Sequence, residues 1–490
     1  MIQGKKIKTN YLREENGRKN IPRRRVINNI LRKLQAGGVD TVIVGASVAG
    51  LYLAGKIKNC IVLERRRKVG GKVRTSKEDD NILFDDGPWR FHQSHTILKQ
   101  LLDNHGILYN ENNSYKKKQD ETFNSSCKQG MSTFGSNAFE KGIQTARENS
   151  IKSGYDGMAY ADCGGNVYHG QRHEKGTYYF VTKGMREIVD KLYQPIASKV
   201  STNCMVVDIR KNDNVFTVTY LDPTNTSIEL QCKNVILCSP AEKLVFPSID
   251  KFLRPIRASV ESVPLMHVYA KLEGGEKLPP TYIIDPNLAI TQIISGDYSS
   301  NYFQISYTGG RTAMYLRDLH LNYPEEFTEQ IVNDFKVHFP KNNVDTKSIK
   351  VRYWDQAVHF WRPVLKISGK SVSDLSNQSI EPHPLALKGL YLCGESFSTK
   401  QGWIEGSLET AEKVLKRMNS QSNVLPTELD ENSLLIDGRV IDVKYFKDIH
   451  PGSKAAIESF LKKDASFKYQ QIGHPPYAYA FLFQLQKGFQ

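Results

Sequence analysis

Two groups of residues have the types and spacing to do chemistry. The first is a glycine turn, Gly45-Ala-Ser47-Val-Ala-Gly50, set between the apolar run Val39 to Val44 and the stretch Leu51 to Ile57. A turn that opens a helix directly after a strand presents free backbone N–H groups and the positive end of the helix to a phosphate. Ser47 stands at the middle position of the Gly-x-Gly-x-x-Gly spacing, where it adds a hydroxyl in place of the closest backbone approach. Glu64 ends the next apolar run, Cys60 to Leu63, where a carboxylate can accept hydrogen bonds from ribose hydroxyls. The second group is His450 and His474, 24 residues apart, each beside a Pro/Gly turn that can aim an imidazole into an apolar cleft.

The elements that must position these groups follow from the apolar pattern. Strand, glycine turn, helix and second strand over residues 39–64 form the opening unit of a doubly wound parallel sheet. Residues 110–175 are polar, rich in Asn, Lys, Ser and Gly, and lack sustained periodicity, which predicts an insertion. Beyond it the pattern predicts a strand over Thr177 to Val181 and a helix over Met185 to Leu192. Strands are then predicted around Met205 to Ile209, Val215 to Tyr220 and Asn234 to Cys238. Val263 to Leu316 reads as mostly strands, and Gly389 to Met418 as strand, loop and helix. The polar, Pro-containing stretch 419–433 reads as a linker to a small C-terminal domain, 434–490.

The run Leu63-Glu-Arg-Arg-Arg-Lys-Val-Gly70-Gly71-Lys72-Val-Arg, followed by Phe84-Asp-Asp-Gly-Pro-Trp-Arg90, resembles the N-terminal signature of the flavin-containing amine oxidase family. Gly389-Leu-Tyr-Leu-Cys-Gly394-Glu395 and Gly402-Trp403-Ile404-Glu-Gly resemble that family's second FAD motif. The resemblance spans roughly residues 38 to 418. It implies that Gly70, Gly71 and Lys72 line the FAD diphosphate and ribityl chain, with Lys72 where arginine is more usual. It further implies that backbone at Val206 meets adenine, that Gly394 and Glu395 meet the diphosphate and ribityl, and that Gly402, Trp403 and Ile404 run beside the isoalloxazine. Arg90 resembles the arginine that L-amino-acid oxidases use for the substrate carboxylate, a bidentate charge-assisted contact; pairing with a protein carboxylate or with FAD is the alternative. The family's lysine near flavin N5, which helps the reduced flavin meet oxygen, aligns with His267, and Lys271 follows it. Trp354, Trp361 and Trp403 could wall the pocket.

The C-terminal stretch around His450-Pro-Gly-Ser453 and Gly473-His474 resembles a cytochrome b5 domain, in which two histidines at this separation bind haem b axially. Two axial imidazoles leave no open coordination position, so such a haem shuttles single electrons. Ser453 stands where that family usually has a second glycine.

The composition bounds these readings. Hydrophobic residues at 39% and charged residues at 24% exclude wholesale disorder. The longest apolar stretches are too short to span a bilayer, and no signal peptide pattern is present, so an intracellular, cytoplasmic protein is expected. The second flavin motif looks most like those of amine-oxidase-like proteins from large DNA viruses and protists. Seven scattered cysteines favour reduced thiols. Of the formal charge of +15, much lies in a basic extension over residues 1–37, whose Lys and Arg could bind a polyanion such as nucleic acid or an acidic membrane surface.

The expected fold class is α/β: an FAD-binding, Rossmann-type doubly wound domain (about 38–95, 177–262 and 345–418) interleaved with a mostly β substrate domain (about 96–176 and 263–344). A small α+β cytochrome b5-like domain completes it. The expected function is an FAD-dependent oxidoreductase in which an amine or L-amino acid reduces FAD and a bis-histidine haem receives the electrons. The alternatives are an oxygen-dependent amine oxidase with an independent haem domain, and a non-catalytic binding protein on the same fold.

Overall fold

The computed structural model describes residues 38–78, 81–111, 159–163, 166–170, 177–275, 277–278, 282–284, 288–290, 292–294, 301–362, 370–383, 385–420, 428–476 and 478–487. The basic extension and most of the polar stretch 110–175 lie outside them.

The sheet that begins at the glycine turn is built from β1 (Thr41–Val44), β2 (Cys60–Glu64), β3 (Val200–Thr202), β4 (Asn234–Leu237) and β5 (Leu390–Leu392) in the order β3-β2-β1-β4-β5. All four pairings are parallel. Continuous apolar runs such as Thr-Val-Ile-Val form these strands because both faces are covered: Ile43 and Val62 face one buried cluster, Val42 and Ile61 the other. Helix α1 (Val48–Lys56) packs against the long helix α2 (Ile404–Asn419) in the first cluster. Every strand of a parallel sheet ends at the same edge, so Gly45, Glu64, the residues after Leu237 and Gly394 are brought to one crest from four distant parts of the chain.

A second sheet joins the strands Val260–Leu272, Phe303–Gly309 and Val344–Trp361 antiparallel, with the short strands Tyr282–Ile284 and Gln292–Ile294 at one edge. The stretch Val263 to Leu316 departs from its mostly strand reading at its end. From Gly310 the chain is helical through Asn322, because Ala313 and Leu316 reach the same buried cluster as Phe303 and Phe327 at helical spacing.

The C-terminal residues are less independent than a tethered domain. Their hairpin, Ser433–Ile436 with Arg439–Asp442, holds Arg439, 2% exposed, whose guanidinium donates to the carbonyls of Pro382 and Phe252 and to Gln486 Oε1 at 2.7–2.8 Å. Helix α3 (Ala478–Gln484) lies against Asp250–Ser259, and Phe483 enters the core beneath the parallel sheet, stacked on Trp361 at 6.0 Å. Trp361 is therefore core, with its indole N–H on Ser398 O, and does not wall a pocket.

His383 is buried under this contact. Its Nδ1 accepts the Ala386 N–H, which makes Nε2 the donor to Asp437 O at 2.7 Å. Burial, with help from the Arg439 charge, pushes its pKa down to about 3. A base depressed in the folded state takes up its proton more readily when unfolded, so stability falls as pH drops below the ordinary value near 6.5. The slope is about 1.4 kcal/mol per pH unit until the folded pKa is reached. Denaturant midpoints measured from pH 7 to pH 4 are expected to fall progressively, and His383→Gln to remove one proton's worth of that slope. A wild-type slope that His383→Gln leaves unchanged rules out this assignment.

Candidate functional site

The crest is organised around the glycine turn. Ser47 caps α1, its Oγ accepting the Gly50 N–H at 3.4 Å, so its hydroxyl serves the helix N-terminus. Gly50 admits no side chain, because a Cβ there would lie 2.1 Å from Gly45 O. Glu64, buried at the end of β2, accepts Ala46 N–H on one oxygen and Arg66 N–H on the other at 2.9 and 2.8 Å. The carboxylate thus braces the turn, and its oxygens retain further lone pairs. Gly70 N–H donates to Ala46 O at 2.7 Å, and Gly71 packs over Ser47. Cys204 N–H donates to Glu64 O, which sets half-buried Val206, at a bulge in its strand, just beyond the same end of β2.

Gly394 follows β5 with φ +137°, and nothing lies within 4 Å of where its Cβ would be. Its backbone therefore faces open space at the crest, the approach a diphosphate requires. Next to it, Glu395 is the hub of the site. One oxygen accepts from Lys72 Nζ at 3.1 Å and from His359 Nδ1; the other accepts the Gly402 N–H at 2.9 Å. Lys72 also donates to Ala357 O at 2.6 Å. His359, wholly buried on the strand Val344–Trp361, reaches Glu242 Oε2 with its second nitrogen at 2.9 Å. The surrounding cations hold the Glu395 carboxyl far below the usual carboxylate range and that of Glu242 below it, while the Glu395 carboxylate holds the His359 imidazole above its ordinary value despite burial.

Gly402 turns the chain at φ +82° into Trp403, the residue before α2, and Ile404 is buried as its first residue. Glu405 fixes that turn from the other side, accepting the Ile97 and Leu98 N–H groups at the start of the helix Thr96–Asn104 at 3.1 and 2.8 Å. Arg90 lies against this corner. Its guanidinium carbon is 4.8 Å from the Trp89 ring, 5.0 Å from Tyr178 and 6.0 Å from Trp403. Tyr178 and Trp403 are themselves stacked at 6.4 Å, and His95 meets the Trp403 ring edge at 4.7 Å. Ring faces attract a guanidinium electrostatically, and its planar fork matches a carboxylate in two bonds.

The other candidates have partners of their own. His267 is 1% exposed and linked through Nδ1 to the Tyr269 hydroxyl, which donates to Asp85 O. Burial pushes its pKa down to about 3, so the ring is neutral at physiological pH. Trp354 donates its indole N–H to Asp86 O beside Arg74. His450 and His474, both part-exposed, each meet one ring at the edge of the C-terminal apolar cluster, the first edge-on to Phe446 at 5.6 Å and the second stacked on Tyr469 at 4.2 Å. Ser453 adopts φ +88°, a region that favours glycine. Among the described residues no group of three or more His, Cys, Asp or Glu could hold a metal ion, and no helix is long and apolar enough to cross a membrane.

Sequence reasoning missed His359, Glu242, Trp89 and Tyr178. Glu242 had a usable signal, since it follows a parallel strand by a few residues as Glu395 does. His359 had none, as it sits in an apolar run, Val358 to Trp361, that reads as core.

The model of the flavin containing amine oxidoreductase family matches residues 48–154 and 159–418. L-amino acid oxidase Bs29 of Bothriechis schlegelii is 22% identical over 463 residues, 78% of this chain and 90% of that protein. The L-amino-acid oxidase of Pseudechis australis is 21% identical, covering 78% of this chain and 87% of that one. A solved structure of putrescine oxidase bound to putrescine superposes with a TM-score of 0.54 at 13% identity, covering 78% of this chain and 99% of the other, a likeness of fold. With a family match over most of its length, the chain belongs to the flavin-containing amine oxidoreductases, an oxidoreductase with FAD as cofactor.

Proposed function

We propose that this chain oxidises an L-α-amino acid, with Arg90 receiving the substrate carboxylate and Trp403 forming the wall beside it. The observation that carries this reading is the position of Arg90, buried in a box of Trp89, Tyr178 and Trp403 next to the Gly402 turn. A cation among aromatic faces selects a substrate that bears an anion, and the rings exclude water from the contact, which strengthens it. FAD, when bound, supplies the two-electron acceptor. Gly45, Ser47, Gly50, Glu64, Gly70, Gly71, Lys72, Val206, Gly394, Glu395, Gly402 and Ile404 are proposed to hold it along the crest. His267 offers a neutral ring where the family's lysine would bring charge, which supports an acceptor other than oxygen. The test compares L-amino acids with the amines that lack only the carboxylate. A preference in kcat/KM on the order of 10²-fold or more for the amino acid is expected from one desolvated bidentate contact, and equal use of the two would remove Arg90 from substrate recognition.

The C-terminal residues are proposed to hold haem b between His450 and His474 as the acceptor of those electrons. Both imidazoles are held alike, with Nδ1 on a backbone carbonyl, Ser453 O at 3.2 Å and Tyr469 O at 3.0 Å. That hydrogen bond sets the tautomer that leaves Nε2 as the ligating nitrogen, the usual support for a metal-bound histidine. Ile449, Phe467 and Ile472 expose more than half of their surface near these histidines, apolar area that a porphyrin could cover. Titration of the purified protein with haemin is expected to give the absorption bands of a six-coordinate haem, and His474→Ala to lose them. Identical spectra for wild type and variant would exclude His474 as a ligand.

A further inference from the structure

Among the buried ionisable groups, one cluster does more than the flavin motifs require. Glu242, His359, Glu395 and Lys72 come from four separate segments and meet at the crest in a chain of contacts: Glu242 to His359, His359 to Glu395, Glu395 to Lys72. A neutral imidazole carries one N–H and can donate to only one of its two carboxylate neighbours; an imidazolium donates to both. With His359 protonated the four charges sum to zero. Without that proton, two carboxylates face a single ammonium in a water-poor site.

We propose that His359 is a positioning residue for the flavin site, an imidazolium clamped between Glu242 and Glu395 that fixes the Glu395 carboxylate and, through its other oxygen, the Gly402–Trp403 turn. The proposal rests on the placing of FAD along this crest. Glu395 Oε2 is the acceptor for Gly402 N–H, so a carboxylate that rotates to compensate for a lost partner also releases the turn before Trp403. The groups facing His359 are Glu242 after β4, Glu395 after β5 and Lys72 after the paired glycines. Of these, the two carboxylates favour the charged ring and Lys72 opposes it. His359 thus keeps its proton past its ordinary pKa, and its contribution is full below about pH 6.5 and lost as pH rises through the raised value.

The test is the dissociation constant of FAD, read from flavin fluorescence, with the full chain. In wild type it is expected to be level below about pH 6.5 and to rise by up to about tenfold per pH unit once His359 loses its proton. A level profile throughout overturns the proposal without any variant. His359→Gln is expected to bind FAD roughly 10–100-fold more weakly with no alkaline dependence. The double variant His359→Gln with Glu242→Gln restores neutrality and is expected to recover most of that loss. Wild-type affinity in His359→Gln, or no recovery in the double variant, would show that His359 acts by shape alone. The thermal midpoint of each variant without FAD separates loss of cofactor from loss of fold; if neither variant folds, the wild-type profile decides.

Discussion

Arg90→Met is expected to lower kcat/KM for L-amino acids by about 10²–10³-fold while leaving the constant for the matching amines within about threefold. A carboxylate removed from water into a ring-lined corner depends on its charge-assisted partner, and truncating such a contact costs about 3–4 kcal/mol. The substitution keeps an unbranched apolar stem against Trp89 and Tyr178, so the packing of the rings is largely retained. Arg90→Lys is expected to recover only part of the loss, since an ammonium lacks the planar fork. Steady-state assays on paired substrates measure this directly. An equal fall for amino acid and amine would mean that Arg90 shapes the site without reading the carboxylate.

Arg439→Met is expected to loosen the C-terminal hairpin by roughly 3–5 kcal/mol. The guanidinium satisfies one buried and one part-buried carbonyl and a buried amide oxygen at once, and each buried acceptor left without a donor costs about 1–3 kcal/mol. Burial already pushes the arginine pKa down to about 10, a sign of how little water reaches it. Hydrogen exchange is the suitable probe, because a local opening need not unfold the parallel sheet. Amides of Ser433–Asp442 are expected to lose protection by about 10²–10³-fold, with β1 and β2 unchanged. Protection that stays at the wild-type level would show that helix α3 and Phe483 hold the C-terminal residues without the arginine.

Much of this architecture is legible in the residues. The short apolar runs at Thr41, Cys60 and Leu390 end at or next to a glycine or acid, and the run at Asn234 ends in Ser-Pro; such breaks after buried runs mark parallel strands whose C-terminal ends share one edge. The helix at Gly310 was hidden because Tyr, Thr and Leu satisfy either period over a few residues, and only the cluster around Phe327 and Phe335 decides between them. Arg90 could be singled out from Gly87-Pro-Trp-Arg, yet its companions Tyr178 and Trp403 lie far away in sequence and carry no local sign of meeting. The docking of the C-terminal residues was equally unreadable. Phe483 looks like the core of a small domain, and only the shape of the surface beneath the parallel sheet reveals that it belongs to the larger one.

Substrate recognition at Arg90 is tested most directly by a single turnover without oxygen. Purified protein loaded with FAD is mixed with one equivalent of an L-amino acid, and the yellow flavin band is followed. Bleaching by the L-amino acid, slowed at least about 10²-fold in Arg90→Met and absent with the D-enantiomer, is the result expected. A flavin that remains oxidised with every amino acid offered but bleaches with simple amines would contradict the account.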